Sequence, residues 1–247
     1  MSVRSVLLVA GHMCDARVWA ASAHALALHY EVQIAVPGNQ PTMQAQAEAI
    51  LAQAPMKFAL AGFSMGGYIA LEIMRRQPAR VERLALLGTR ASADDDEMRA
   101  MREARMARVR GGALYEVMEE FARLACGERL WLDQRAATTI RSMFHTQGAD
   151  TFLAQQSAML SRPDCMALLE RIRCPVTIVC GTHDIISTPD CHAVIAAAIP
   201  GASLYQVEGA GHMTPMEAST TVTQCLLGWM QSSRTEHERL SMSPDGK

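Results

Sequence analysis

Lys57-Phe58-Ala59-Leu60-Ala61-Gly62-Phe63-Ser64-Met65-Gly66-Gly67-Tyr68-Ile69-Ala70-Leu71-Glu72-Ile73-Met74 decides the reading of this chain. An apolar run ends in G-x-S-x-G, and a helical pattern starts immediately after it. A strand that reverses this sharply into a helix forces the turn residue into strained backbone angles. Only glycines two positions to either side, Gly62 and Gly66, let the chain approach itself so closely. The Ser64 hydroxyl then projects from a helix N-terminus, where orphan N–H groups and the positive dipole end favour a developing negative charge.

Working outward, five more runs read as strands: 4–10, 31–36, 82–88, 175–181 and 202–208, with 57–63 the sixth. Several are nearly continuous in Val, Ile, Leu and Ala, the pattern of parallel strands covered on both faces. Helical patterns at 16–28, 43–54, 65–77, 189–199 and 215–231 alternate with them. Strand–helix alternation implies parallel βαβ crossovers. The expected fold is therefore α/β, with a doubly wound, mostly parallel sheet of about six strands.

The alternation fails between Gly88 and Pro175. Helical patterns fill that gap at 94–109, 113–125, 133–145, 149–160 and 165–171, broken by Gly111-Gly112, Gly127, Gly148 and Arg162-Pro163. A structureless loop of that length is implausible in a compact domain. The expectation is a core at 1–89 and 174–232, an inserted helical cap at 90–173, and a disordered polar tail at 233–247.

Composition narrows the function. The chain has 247 residues, a net charge of −2 and 19% charged residues, so it lacks the basic surplus of a nucleic-acid binder. No apolar run approaches the roughly 18 residues of a spanning helix. The seven cysteines are odd in number and scattered, which points to a reducing cytoplasm rather than a disulfide framework. No Cys/His spacing suggests a metal, and no phosphate-binding or dinucleotide glycine loop follows a strand, so no cofactor is expected.

A serine hydroxyl is a poor nucleophile near neutrality and needs a base, which in turn needs an orienting acid. The strand at 175–181 runs into Gly181-Thr182-His183-Asp184, and the last strand into Gly209-Ala210-Gly211-His212. Loops at the C-terminal ends of parallel strands open on one edge of the sheet, so Ser64, Asp184 and His212 can meet there. His183 should face away from Asp184, since neighbours on an extended segment alternate. The rival acids Asp94, Asp95 and Asp96 read as a helix cap at Asp94 and its solvated first turn.

Together with Val9-Ala10-Gly11-His12, Asp15 and Trp19, these segments resemble the α/β-hydrolase family over about residues 6–230, and most closely its small cofactor-free esterases. The resemblance implies Ser64 as nucleophile, His212 as general base and Asp184 as its orienting acid. It also implies an oxyanion hole from the backbone N–H groups of Met65 and His12, with Ala10-Gly11 standing where many members have His-Gly. The reaction implied is hydrolysis of a small to medium apolar carboxylic ester through an acyl-enzyme. Lactone or enol-lactone, thioester and C–C bond hydrolysis use the same machinery. A ligand-binding receptor on this scaffold is the non-enzymatic alternative. Asp15 reads as a helix cap and Trp19 as a packing anchor.

The substrate pocket is expected to use Met13, Trp131, Met143, Phe144 and Met213. Seven of the 17 methionines lie in the cap region, where flexible thioethers suit an apolar pocket. Arg99, Arg102, Arg105, Arg108 and Arg110, interleaved with Glu97 and Glu103, read as a solvated, partly self-paired face. A docking patch for an anionic partner or substrate is the alternative. Oligomeric state is left open.

Overall fold

Apolar runs bounded by turn residues become the strands of one sheet. The computed structural model describes residues 4–127, 130 and 133–231. Its strands are β1 (Ser5–Val9), β2 (Glu31–Ala35), β3 (Phe58–Phe63), β4 (Val81–Leu87), β5 (Val176–Gly181) and β6 (Ser203–Val207). The sheet order is β2-β1-β3-β4-β5-β6, and every pairing is parallel. This is the expected α/β architecture of six strands, with β3 at its centre.

Alternation along each strand assigns side chains to two cores. Val6 and Leu8 of β1, with Ala59, Ala61 and Phe63 of β3, pack on one face. Leu7, Val9, Phe58 and Leu60 pack on the other. The first face is covered by α1 (Ala20–Leu26) and the C-terminal α11 (Ser219–Gln231). The second is covered by α2 (Met43–Leu51), α3 (Met65–Arg76) and α9 (Pro189–Ala198). All six residues of β3 are buried, and each fully covered Phe contributes roughly 1.5–3 kcal/mol.

Between β4 and β5 the chain forms helices: α4 (Asp96–Arg110), α5 (Leu114–Ala125), α6 (Gln134–Thr146), α7 (Gly148–Leu160) and the single turn α8 (Met166–Leu169). There α4 packs on α7, and α5 on α6. Two expected helices are split. The 16–28 run begins as a 3-10 turn (Ala16–Trp19) capped by the Asp15 side chain before α1. The 215–231 run breaks at Ala218 into the short α10 (Thr214–Glu217) and α11. Asp95, not Asp94, caps α4, its carboxylate accepting the Met98 N–H at 2.8 Å. Trp131 and the tail at 233–247 lie outside the described residues.

Candidate active site

Ser64 sits between β3 and α3 with φ 53° and ψ −116°, a left-handed conformation that costs a non-glycine residue roughly 1–3 kcal/mol. The surroundings hold it there. The Ser64 N–H donates to the Leu87 carbonyl at 2.8 Å, and the Thr89 hydroxyl donates to the Ser64 carbonyl at 2.9 Å. A Cβ on Gly62 would stand 2.3 Å from the Gly66 carbonyl oxygen, and one on Gly66 would stand 2.3 Å from that of Val9. Thr89 is itself anchored by His192, whose Nε2 accepts the Thr89 N–H at 3.0 Å. The His192 Nδ1–H therefore donates to the Thr188 carbonyl, and burial lowers its pKa, keeping the ring neutral.

The loops after β5 and β6 bring two more side chains to this turn. His212 Nε2 lies 2.9 Å from Ser64 Oγ, and its Nδ1 lies 2.8 Å from Asp184 Oδ2. The other carboxylate oxygen of Asp184 accepts the N–H groups of Ile186 at 2.9 Å and Ser187 at 2.8 Å. Burial acts to raise the Asp184 pKa. The His212 charge and these hydrogen bonds outweigh it and hold the carboxyl below its ordinary value. Asp184 is thus an anion aimed at the imidazole, in the geometry that lets a histidine draw a proton from a hydroxyl. His183 is exposed beside the buried Asp184. The His212 loop is held by Glu217, which accepts the N–H groups of Gly211 at 2.8 Å and Gly127 at 3.1 Å.

The Gly11–His12 turn after β1 abuts the same spot, since a Cβ on Gly11 would lie 3.3 Å from Ser64 Cβ. The His12 ring is buried and fully hydrogen-bonded. Gln155 Oε1 accepts the Met13 N–H at 2.9 Å, while its amide nitrogen donates to the Pro37 carbonyl at 2.8 Å. That orientation leaves Oε1 to accept from His12 Nδ1 at 2.8 Å. The Gln156 amide then donates to His12 Nε2 at 3.0 Å, and its oxygen accepts from Arg102 at 3.2 Å. Burial, aided by the charges of Arg102 and Arg105, pushes the His12 pKa down to about 3 despite the Gln155 hydrogen bond. The ring is therefore neutral near pH 7.

Ser64 and His12 line a cavity of about 210 Å³ against the helices between β4 and β5, smaller than the roughly 300–1,000 Å³ typical of drug-sized ligand sites. Its apolar wall comes from Tyr68 of α3, Phe121 of α5, Met159 of α7 and Met98 of α4. Met101, Leu124 and Ile185 also line it and remain exposed at its rim.

The pocket residues expected from the sequence need correction. Met13, Met143, Phe144 and Met213 are 0–1% exposed and belong to the core cluster rather than the cavity wall. The arginine face of α4 is not simply solvated either. Arg102 is buried and pairs with Asp94 at 2.7 Å, and Asp94 also holds Arg162 at 2.8 Å. Arg108 pairs across to Glu120 on α5, not with Glu97 or Glu103. The missed wall residues had a signal: Met98, Met101, Arg102 and Arg105 follow i, i+3, i+4, i+7 spacing, one helix face. Ile185 and Ile186 directly follow Asp184. Gln155 and Gln156 carried no such signal.

The parallel sheet, the strained serine turn and the hydrogen-bonded row of Ser64, His212 and Asp184 are features of the α/β class of hydrolases. Residues 40–219 match the family model for the alpha/beta hydrolase fold, and the chain belongs to that family. It is similar to the pimeloyl-[acyl-carrier protein] methyl ester esterase of Chromobacterium violaceum, 28% identical over 84% of this chain and 86% of that protein. A thermophilic esterase from Thermogutta terrifontis superposes with a TM-score of 0.84 at 30% identity, covering 96% of this chain and 91% of the other. The enol-lactonase from Burkholderia xenovorans superposes with a TM-score of 0.86 at 20% identity, covering 94% and 93% respectively, and so shares the fold.

Proposed function

We propose that this hydrolase is a serine esterase that cleaves a small carboxylic ester through an acyl-enzyme. The observation that carries the reading is the continuous hydrogen-bonded path from Asp184 through His212 to a strained Ser64 lining a mostly apolar cavity. His212 takes the Ser64 proton as the hydroxyl oxygen attacks the ester carbonyl. The backbone N–H groups of Met65 and His12 receive the tetrahedral oxyanion, the first at the start of α3 and the second in the turn against Ser64. His212 then protonates the departing alkoxide, and water repeats the attack on the acyl-enzyme. The helices within 90–173 act as a cap that shapes the acyl pocket. Among the described residues no helix is long and apolar enough to cross a membrane, and the reading asks for no metal or cofactor.

The test combines turnover of short-chain p-nitrophenyl esters with labelling by a fluorophosphonate. Ser64→Ala is expected to remove at least about 10⁴-fold of kcat and all labelling while the protein stays folded. Full turnover in that variant, or a label on another serine, overturns the proposal. Running lactones and thioesters of matched acyl length beside the esters ranks the leaving groups.

A further inference from the structure

The wall of the cavity carries charge of one sign only. Arg90, Arg102 and Arg105 line it, and among the described residues no aspartate or glutamate does. Arg102 pairs with buried Asp94, a carboxylate it shares with Arg162. Arg90 reaches only uncharged partners among the described residues, the Met98 sulfur and the Ile186 carbonyl. Arg105 makes no ion pair among the described residues. The acid that attracts it at longer range, Glu120, is held by both terminal nitrogens of Arg108 at 2.7 Å. Desolvation, with the repulsion of Arg102, lowers the Arg105 pKa. A partly desolvated cation without a counter-ion is unfavourable in the empty protein, and an incoming anion relieves that cost.

We propose that the ester substrate carries a carboxylate, and that Arg105, flanked by Arg90, is the site that receives it while Ser64 attacks the ester end. The guanidinium fork matches a carboxylate in two parallel hydrogen bonds. Arg105 reaches the cavity one turn beyond Arg102 on α4, with Met98 and Met101 a turn or two nearer the N-terminus, so one helix face presents both the apolar wall and the charge. The substrate class that fits is a half-ester of a short dicarboxylic acid, or an ester whose alcohol bears the acid. This assignment rests on the esterase reading for the reaction, but the anion site itself does not need turnover.

The test pairs aryl monoesters of four- to seven-carbon dicarboxylic acids with aryl esters of the matching fatty acids, and 4-carboxyphenyl butyrate with phenyl butyrate. In at least one series the acid-bearing ester is expected to have a kcat/KM about tenfold or more above its neutral partner. Arg105→Gln should bring that ratio to about one, and Arg105→Lys should restore part of it. No preference in either series, or a preference that survives Arg105→Gln, overturns the proposal. Calorimetric binding of the same pairs to the Ser64→Ala protein reads the preference without chemistry. An Arg105-dependent preference there, with no Ser64-dependent hydrolysis in the wild type, sinks the esterase reading and leaves the anion site standing.

Discussion

Replacing Asp184 with asparagine preserves the shape of the relay and should still disable it. Asp184 Oδ1 accepts two backbone N–H groups, from Ile186 and Ser187, and Oδ2 accepts from His212. In asparagine the amide oxygen must stay with the two backbone donors, because turning the NH₂ toward them leaves both unsatisfied. Each such loss costs about 1–3 kcal/mol, so the flipped amide is disfavoured by roughly 2–6 kcal/mol. The NH₂ then faces His212 Nδ1 and makes that nitrogen an acceptor. The ring proton moves to Nε2, 2.9 Å from Ser64 Oγ, where a lone pair is needed. The imidazole is held in the tautomer that cannot act as base, and the anion that stabilised the imidazolium is gone. Together these lower kcat by about 10³–10⁴, or some 4–5.5 kcal/mol of barrier. The assay is kcat on a chromogenic ester for wild type, Asp184→Asn and Asp184→Ala, with thermal unfolding of each. Asparagine should be no better than alanine, although it keeps more of the local hydrogen bonds. An Asp184→Asn enzyme that folds normally and retains more than a tenth of wild-type kcat refutes the tautomer argument.

Two further outcomes follow from packing and burial. Between the ordinary histidine pKa of 6.5 and the folded His12 value of about 3, the unfolded chain binds a proton that the folded chain refuses. Stability therefore falls as pH falls through that window, by roughly 2 kcal/mol from pH 6.5 to 5 for this group. His12→Asn should flatten the pH dependence by that amount in urea unfolding at pH 7 and 5, and identical slopes in the two proteins would count against the buried neutral ring. Gly62→Ala places a methyl 2.3 Å from a backbone carbonyl that cannot move independently of the serine turn. A loss of at least about 2 kcal/mol of stability, or failure to fold, is expected, and a wild-type Tm with full activity would show that the turn is looser than its geometry.

The sheet, and the meeting of Ser64, His212 and Asp184 at its edge, were readable from residues because each rests on local chemistry. Val-, Leu- and Ala-rich runs have few alternatives to buried parallel strands. The glycines around Ser64 answer a steric demand that any sequence with this turn must meet. Strand ends shifted by only a residue, with Arg4, Lys57 and Pro175 falling just outside the strands. The cavity wall was harder to read. Burial of Phe144 and Met143 and exposure of Leu124 depend on how α5 and α6 roll against each other, and an apolar pattern identifies a face without saying what it meets. The role of Arg102 depended on Asp94, a residue that the helix-cap rule assigned elsewhere. The Gln155 network joins residues more than a hundred positions apart, and no spacing rule reaches so far.

That network has a consequence for how such an enzyme can change its diet. Gln155 belongs to α7, one of the helices between β4 and β5 that wall the cavity, yet its amide ties down the turn bearing His12 and Met13. Exchanging these helices for those of a relative, the obvious route to a new specificity, would also release the clamp on that turn. A graft that carries glutamine at this position should keep its catalytic competence, whereas one without it should lose rate on every ester alike, before selectivity enters.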